Sequence, residues 1–361
     1  MTDSIASAPA AVTTPYAPIG FRFTGDGASY FGIWIVNLVL TILTLGVYSA
    51  WAKVRRTQYF YRHTELAGSS FDFHGSAVKI LIGRIVALAM VILYNYTIRV
   101  RSSWLLLVVA AFALVLPWLL RNSLRFKLYN TSWRNTRFHF RGSVPGAYRV
   151  FLLNGILTLV TLYLLAPFFH QRLKAYQHGN SWLGRTSFSF HAPVKRFYLM
   201  YGVLLASILA FFLLVAMAGV GTAIASLGSR PRNQPVNPRQ IIGIVVMVYG
   251  ALIVFALFVG PLFQALITNL IWSNTRLGEH RIECTLSAWK LMWIGATNFI
   301  LVILTLGFFM PWASVRMARY QLECLQVLPA SDLQEFEAAE SESVAAVGEE
   351  VASAFDFDIA L

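Results

Sequence analysis

The chain has 361 residues, of which 57% are hydrophobic and 12% charged, with a mean hydropathy of +0.61. A soluble globular chain carries about 25% charged residues, so this composition, with apolar blocks such as WLLLVVAAFALVLPWLL at 104–120, excludes an ordinary soluble enzyme. The net charge of +13 is uneven, because all 29 Lys and Arg lie at or before Arg319 while residues 321–361 hold ten carboxylates and no base.

In chain order, residues 1–20 contain no Lys or Arg and lack the basic start of a cleavable signal peptide, so the first span is expected to act as the insertion signal. Seven apolar segments are long enough to cross a bilayer: about 30–51, 77–98, 103–120, 147–169, 197–226, 240–271 and 288–312. FDFHG at 71–75 and FHFRG at 138–142 alternate with period two and read as short strands outside the bilayer. Residues 229–239, SRPRNQPVNPR, carry three prolines and read as a loop. From about Pro329 the chain is rich in Glu, Ala and Ser and reads as disordered, with FDFDIA at 355–360 able to dock.

One phrase recurs. LTLGVYSAWAKVRRTQY at 43–59 and LTLGFFMPWASVRMARY at 304–320 agree at nine of seventeen positions. From origins Phe21, Phe138 and Ile282, the same types return at fixed offsets: Asn37, Asn154, Asn298; Thr44, Thr161, Thr305; Arg55, Arg172, Arg316; Tyr59, Tyr176, Tyr320. An ungapped match in three copies indicates internal duplication. A second recurrence places Ala50, Pro117, Pro167 and Pro261 fourteen residues before Thr64, Thr131, Ser181 and Thr275, each seven before a strand-like pair.

Counting one or two spans between successive strands puts the second and third strands on one face and the first, fourth and fifth on the other. The expected fold class is therefore an all-α multi-pass membrane protein of about seven transmembrane helices in internal, inverted repeats. Short extramembrane β-strands and a disordered C-terminal tail complete it. The expected division is a flexible segment at 1–20, a repeat-built transmembrane domain at 21–327 and an acidic tail at 328–361. Its repeats run about 21–137, 138–281 and 282–327. Fifteen Lys and Arg on one face against ten on the other place the C-terminus in the cytoplasm. Cys284 and Cys324 fall on opposite faces in this topology and read as two inert thiols.

The stretch GDGASYFGIWIVNLVLTILTLGVYSAWAKVRRTQYFYRHT at 25–64, followed by FDFHG, resembles the YjgN-like family of multi-pass proteins of bacterial inner membranes. The resemblance covers roughly residues 21–327. It implies an inner-membrane location and brings no activity, substrate or catalytic residue with it. The middle copy departs from the LTLG phrase at Tyr163.

Candidate sites follow from the recurrent positions. Asn37, Asn154 and Asn298 lie inside spans, where an amide is costly unless hydrogen-bonded. They read either as ties between helices or as a polar path touching solute. Arg55, Arg172 and Arg316, each with its Tyr59, Tyr176 or Tyr320 on the same helical face, read as holders of lipid phosphate or an anionic solute, or as interfacial anchors. Arg84 lies within a span with no carboxylate between Asp72 and Glu279, so its partner is a carbonyl, a headgroup, water or an anion unless it snorkels. No GxSxG, HExxH or Walker phrase occurs, and neither a metal, a cofactor nor catalysis is expected.

A basic body with an acidic tail suits anionic membrane lipids as partners and not nucleic acid, for which no soluble basic domain is long enough. Transport or channel-like handling of an anionic or amphiphilic solute is the expected function. The alternative is a non-transporting membrane scaffold that binds lipids or partner proteins.

Overall fold

The computed structural model describes residues 16–100, 104–217 and 238–331, and positions 219, 221, 225 and 228 between them. The proline-rich stretch 229–237 and the acidic tail beyond Ser331 lie outside the described residues.

The alternating aromatic pairs do form strands. Among the described residues these are β1 (Ile19–Phe23), β2 (Thr64–Leu66), β3 (Ser69–Phe73), β4 (Thr131–Trp133), β5 (Thr136–Phe140), β6 (Ser181–Leu183), β7 (Thr186–Phe190), β8 (Thr275–Leu277), β9 (His280–Cys284) and β10 (Leu325–Leu328). All ten pair antiparallel with their chain neighbours, and β10 returns to β1, with Val327 opposite Ile19, to close a barrel. Strands of three to five residues have too little ladder to stand alone, and closure leaves no edge unpaired.

Alternation sorts the wall. Leu66, Trp133, Leu183 and Val327 are buried in one cluster, with Phe21, Phe71, Phe138, Phe188 and Leu277 packed on them. Side chains from strands all round the wall can meet in this way only inside it. Phe21, Phe71, Phe138 and Phe188 stack in succession with centroids 6.1, 6.3 and 6.2 Å apart. The intervening Arg22, Arg137, Arg276 and Arg281 are exposed on the outside.

Between the strands run helices in pairs: α1 (Gly27–Leu43) with α2 (Ser49–Arg62), α3 (Ala77–Arg99) with α4 (Leu105–Tyr129), α5 (Val144–Val160) with α6 (Ala166–Gly179), α7 (Val194–Met217) with α8 (Pro238–Trp272), and α9 (Ala288–Leu304) with α10 (Met310–Glu323). Each helix packs on its neighbours round a ring, and α10 packs on α1 to complete it.

The expectation of an all-α fold with about seven transmembrane helices in inverted repeats is overturned. The molecule has a closed ten-stranded barrel. Among the described residues, four helices are long and apolar enough to cross a membrane: Ala77–Arg99, Leu105–Tyr129, Val194–Ala216 and Val245–Trp272. The segments at 30–51, 147–169 and 288–312 are not straight. Each folds back on itself at its LTLG position, so among the described residues every interval between strand pairs has an outgoing and a returning helix, and the chain comes back to the same end. The strands therefore share one side of the molecule, and no unit is inverted relative to another.

The fold-back has a local cause. Leu45 and Gly46, Leu162 and Tyr163, and Leu306 and Gly307 all take positive φ. The N–H groups of Gly46, Tyr163 and Gly307 then reach back to the carbonyls of Thr41, Thr158 and Val302 at 2.8, 2.8 and 2.7 Å, ending each helix as a left-handed cap does. The recurrent threonine is the second element. The hydroxyls of Thr44, Thr161 and Thr305 donate to the carbonyl four residues back and accept the N–H of Tyr48, Leu165 and Phe309. Thr161 and Tyr163 thus make the same turn without the glycine, although Tyr163 must adopt φ +66°. Tyr163→Gly is accordingly expected to stabilise the protein by about 1 kcal/mol, since a left-handed side chain costs about 1–2 kcal/mol and glycine's extra unfolded freedom offsets part of that. A rise of a few degrees in the melting temperature in detergent would show it, whereas a fall would refute this account of the turn.

Candidate functional site

Where each hairpin leaves and rejoins the barrel, most of the singled-out side chains find protein partners. Tyr59 Oη donates to the Asp26 carbonyl at 2.7 Å and accepts the Asp26 N–H at 3.0 Å. Tyr176 Oη donates to the Ser143 carbonyl at 2.9 Å, and Tyr320 Oη accepts the Ser287 N–H at 2.8 Å. Asp26, Ser143 and Ser287 are the N-caps of α1, α5 and α9. The recurrent tyrosine therefore pins the start of the outgoing helix to the end of the returning one. Burial raises the pKa of all three phenols and keeps them protonated as donors.

Asn37, Asn154 and Asn298 are all buried, each in a different hairpin. Asn298 Nδ2 donates to the Ala313 carbonyl at 3.2 Å and its Oδ1 accepts from Arg316 Nη1 at 2.8 Å, so Asn298 and Arg316 are brought together within the α9–α10 hairpin. Asn37 Oδ1 is buried without a hydrogen-bond partner. Arg55 and Arg172 behave differently from Arg316. Both are exposed, and each guanidinium stands over an aromatic ring, Tyr48 at 5.8 Å and Phe168 at 5.1 Å. No hydrogen bond among the described residues joins one of the three asparagines to another. Arg84 donates to the Ser49 hydroxyl, so the partner of this intraspan charge is a side chain on the neighbouring hairpin, near its tip.

A set of contacts that the recurrences did not single out ties the units together. Gln58 Nε2 donates to the Phe73 carbonyl (3.1 Å), Arg121 Nε to Gly142 (2.8 Å), Gln171 Nε2 to Ala192 (3.1 Å), Asn269 Nδ2 to Leu286 (2.9 Å) and Arg319 Nη2 to Gly25 (2.7 Å). Each returning helix thus grips the strand-to-helix junction that follows it round the barrel, and Arg319 joins the last helix to the first strand. A signal for this existed. The donors stand four or eight residues after Ala50, Pro117, Pro167, Pro261 and Pro311, one turn apart on the same face.

The two thiols are not on opposite faces as expected. Cys284 pairs across the sheet with Leu325, the residue after Cys324, and both free cysteines pack in one cluster. The topology that separated them assigned their flanking strands to opposite sides. Burial pushes the Cys284 thiol up to about 11, which disfavours the reactive thiolate. His178 is wedged between Phe190 and Trp272 beside Thr275, and burial lowers its pKa to about 4. His74 Nε2 meets the Ser132 hydroxyl at 2.9 Å. Among the described residues no group of three His, Cys, Asp or Glu could hold a metal ion. Arg62 forms an ion pair with Asp72 at 2.9 Å.

Long apolar helices with almost no buried residues, hung in hairpins from one end of a filled barrel, define a membrane protein of mixed helix and barrel architecture. The chain belongs to the family described as bacterial protein of unknown function (DUF898), whose model matches residues 18–354. It is similar to the inner membrane protein YjgN of Escherichia coli K12, 27% identical over 268 residues that make up 74% of this chain and 52% of the relative. It is also similar to inner membrane protein YjgN of Salmonella typhimurium LT2, 26% identical over 144 residues, 40% of this chain and 36% of that one. The chain spans about half the length of the curated Escherichia coli relatives it matches. No solved structure matches it.

Proposed function

We propose that the protein is a non-transporting scaffold of the bacterial inner membrane that gathers anionic lipid around its hairpins, and is neither a solute carrier nor an enzyme. The observation that carries this reading is the filled barrel. Leu66, Trp133, Leu183 and Val327 close its axis with apolar side chains, and a solute path there would need polar groups. Asn37, Asn154 and Asn298 lend further support, because they lie buried in three different hairpins and no hydrogen bond among the described residues joins one to another.

In this reading α3–α4 and α7–α8 cross the bilayer, and the three shorter hairpins enter one leaflet. Leu45, Leu162 and Leu306 at their tips are 96%, 85% and 90% exposed, which suits hydrocarbon and would be unfavourable in water. Lys53, Arg55 and Arg56 follow the first tip within three turns, at headgroup depth. The exposed Arg55 and Arg172, steadied over their rings, can fork onto phosphate.

Arg99 ends α3 and Arg239 lies in the first turn of α8, at the helix ends remote from the barrel. The sequence between α3 and α4 and between α7 and α8 adds Arg101, Arg230 and Arg232, five of the 29 bases in all. The positive-inside rule therefore favours a cytoplasmic barrel and C-terminus. We also infer that the strand-and-hairpin unit was copied in sequence, with β10 and β1 as the halves of one copy split between the chain ends.

Native mass spectrometry of the full chain is expected to retain phosphatidylglycerol over phosphatidylethanolamine, with retention several-fold lower in Arg55→Gln/Arg172→Gln. Vesicles containing the protein should be no leakier to small anions than empty ones. Flux above that control, or equal retention of both lipids, would overturn the reading.

A further inference from the structure

Arg276 and Arg281 stand directly opposite each other on β8 and β9, and both are exposed on the outer wall. Like charges in that register destabilise a strand pair. Neither guanidinium has an ion pair or hydrogen bond among the described residues. Glu283, on the same strand as Arg281, accepts from Gln326 Nε2 at 3.0 Å, and Glu279 in the β8–β9 turn makes no ion pair there. A counter-charge placed over this register removes that repulsion.

The chain's own exit lies beside this pair. Arg281 is also the cross-strand partner of Leu328, the last residue of β10. Pro329 is fully buried, and the Ala330 N–H donates to His280 Nδ1 at 3.2 Å, so the departing chain is held against β9 one residue from Arg281. From Asp332 to Asp358 the sequence then carries nine carboxylates and no Lys or Arg. At about 3.3 Å per extended residue, Asp332, Glu335 and Glu337 can all reach two arginines one strand spacing, about 5 Å, apart.

We propose that the acidic segment Asp332–Glu342 docks across β8 and β9 and seats its carboxylates on Arg276 and Arg281. Bidentate carboxylate–guanidinium contacts replace the repulsion across the pair. The tail thereby covers a basic wall that an anionic macromolecule could otherwise take. Because the contact is exposed, it weakens with salt.

The test uses the full chain carrying Arg281→Lys, treated with a water-soluble carbodiimide that joins an amine to a touching carboxylate. Peptide mass spectrometry is expected to find residue 281 coupled to a carboxylate within 332–342 in monomer-sized protein. Raising salt to about 0.5 M should cut the yield several-fold, as the Debye length shrinks to about half its physiological value. Coupling to Glu279 or Glu283 alone, coupling only between isotopically light and heavy chains when the two are mixed, or no coupling would overturn the proposal. A second variant needs no lysine. Asp332→Asn/Glu335→Gln/Glu337→Gln should raise the rate at which phenylglyoxal modifies Arg276 and Arg281 several-fold, and an unchanged rate would refute the docking.

Discussion

Trp133→Ala is expected to lower the unfolding free energy by about 3–5 kcal/mol, the usual cost of deleting a buried indole. Trp133 is 4% exposed at the barrel axis, where its ring lies 6.2 Å from Phe71 and its Nε1 donates to the Ser69 carbonyl. The Arg134 guanidinium covers it at 4.7 Å. Removing the indole opens a void that strands of three to five residues, locked by closure, have little freedom to fill. Trp289, 69% exposed on α9, supplies the control, and Trp289→Ala should change stability by no more than about 0.5 kcal/mol. Denaturant unfolding in detergent micelles measures both. Equal losses in the two variants would mean that the barrel interior is not the packed core described above.

The second large effect lies in the ring of junction contacts. Asn269 Nδ2 donates to the Leu286 carbonyl at 2.9 Å while its Oδ1 accepts the Leu286 N–H at 2.8 Å. Leu286 is buried, so no water stands ready to replace either bond. Asn269→Leu keeps the volume and leaves two backbone groups unpaired, at a cost of about 2–4 kcal/mol. The Leu286 amide should then exchange its hydrogen at least about tenfold faster, each 1.4 kcal/mol of local stability being worth a factor of ten. If that amide exchanges as slowly as before, another group satisfies it and the junction does not depend on Asn269.

Much of the site was legible as position but not as role. The spacing that singled out Tyr59, Tyr176 and Tyr320 is real, and their hydroxyls are hydrogen-bonded to Asp26, Ser143 and Ser287, partners that the spacing alone did not name. The partner of Arg84 was not legible at all, because Ser49 lies 35 residues away on another hairpin. The junction donors went unnoticed because Gln58, Arg121, Gln171, Asn269 and Arg319 differ in type and agree only in the job they do. A hydrogen bond to a carbonyl can be made by any of them.

The turn at LTLG was hidden for a physical reason. Helix reversals usually announce themselves by polar residues, since they face water. Here the tips are Leu45, Leu162 and Leu306, almost fully exposed on the protein, and an apolar tip reads as a continuation of the span. Hydropathy measures the solvent a residue prefers and is blind to the direction of the chain.

The sequence by itself determined the membrane class, the family, the aromatic strands and the recurrence of Asn, Thr, Arg and Tyr. Each of these depends on residue type and short-range spacing alone. Only the tertiary structure decided that the chain returns to the same end after every helix pair, that β10 closes on β1, and that Cys284 and Cys324 are neighbours. Those outcomes rest on pairings between residues up to about three hundred positions apart. Their free energy exists only once the barrel has closed.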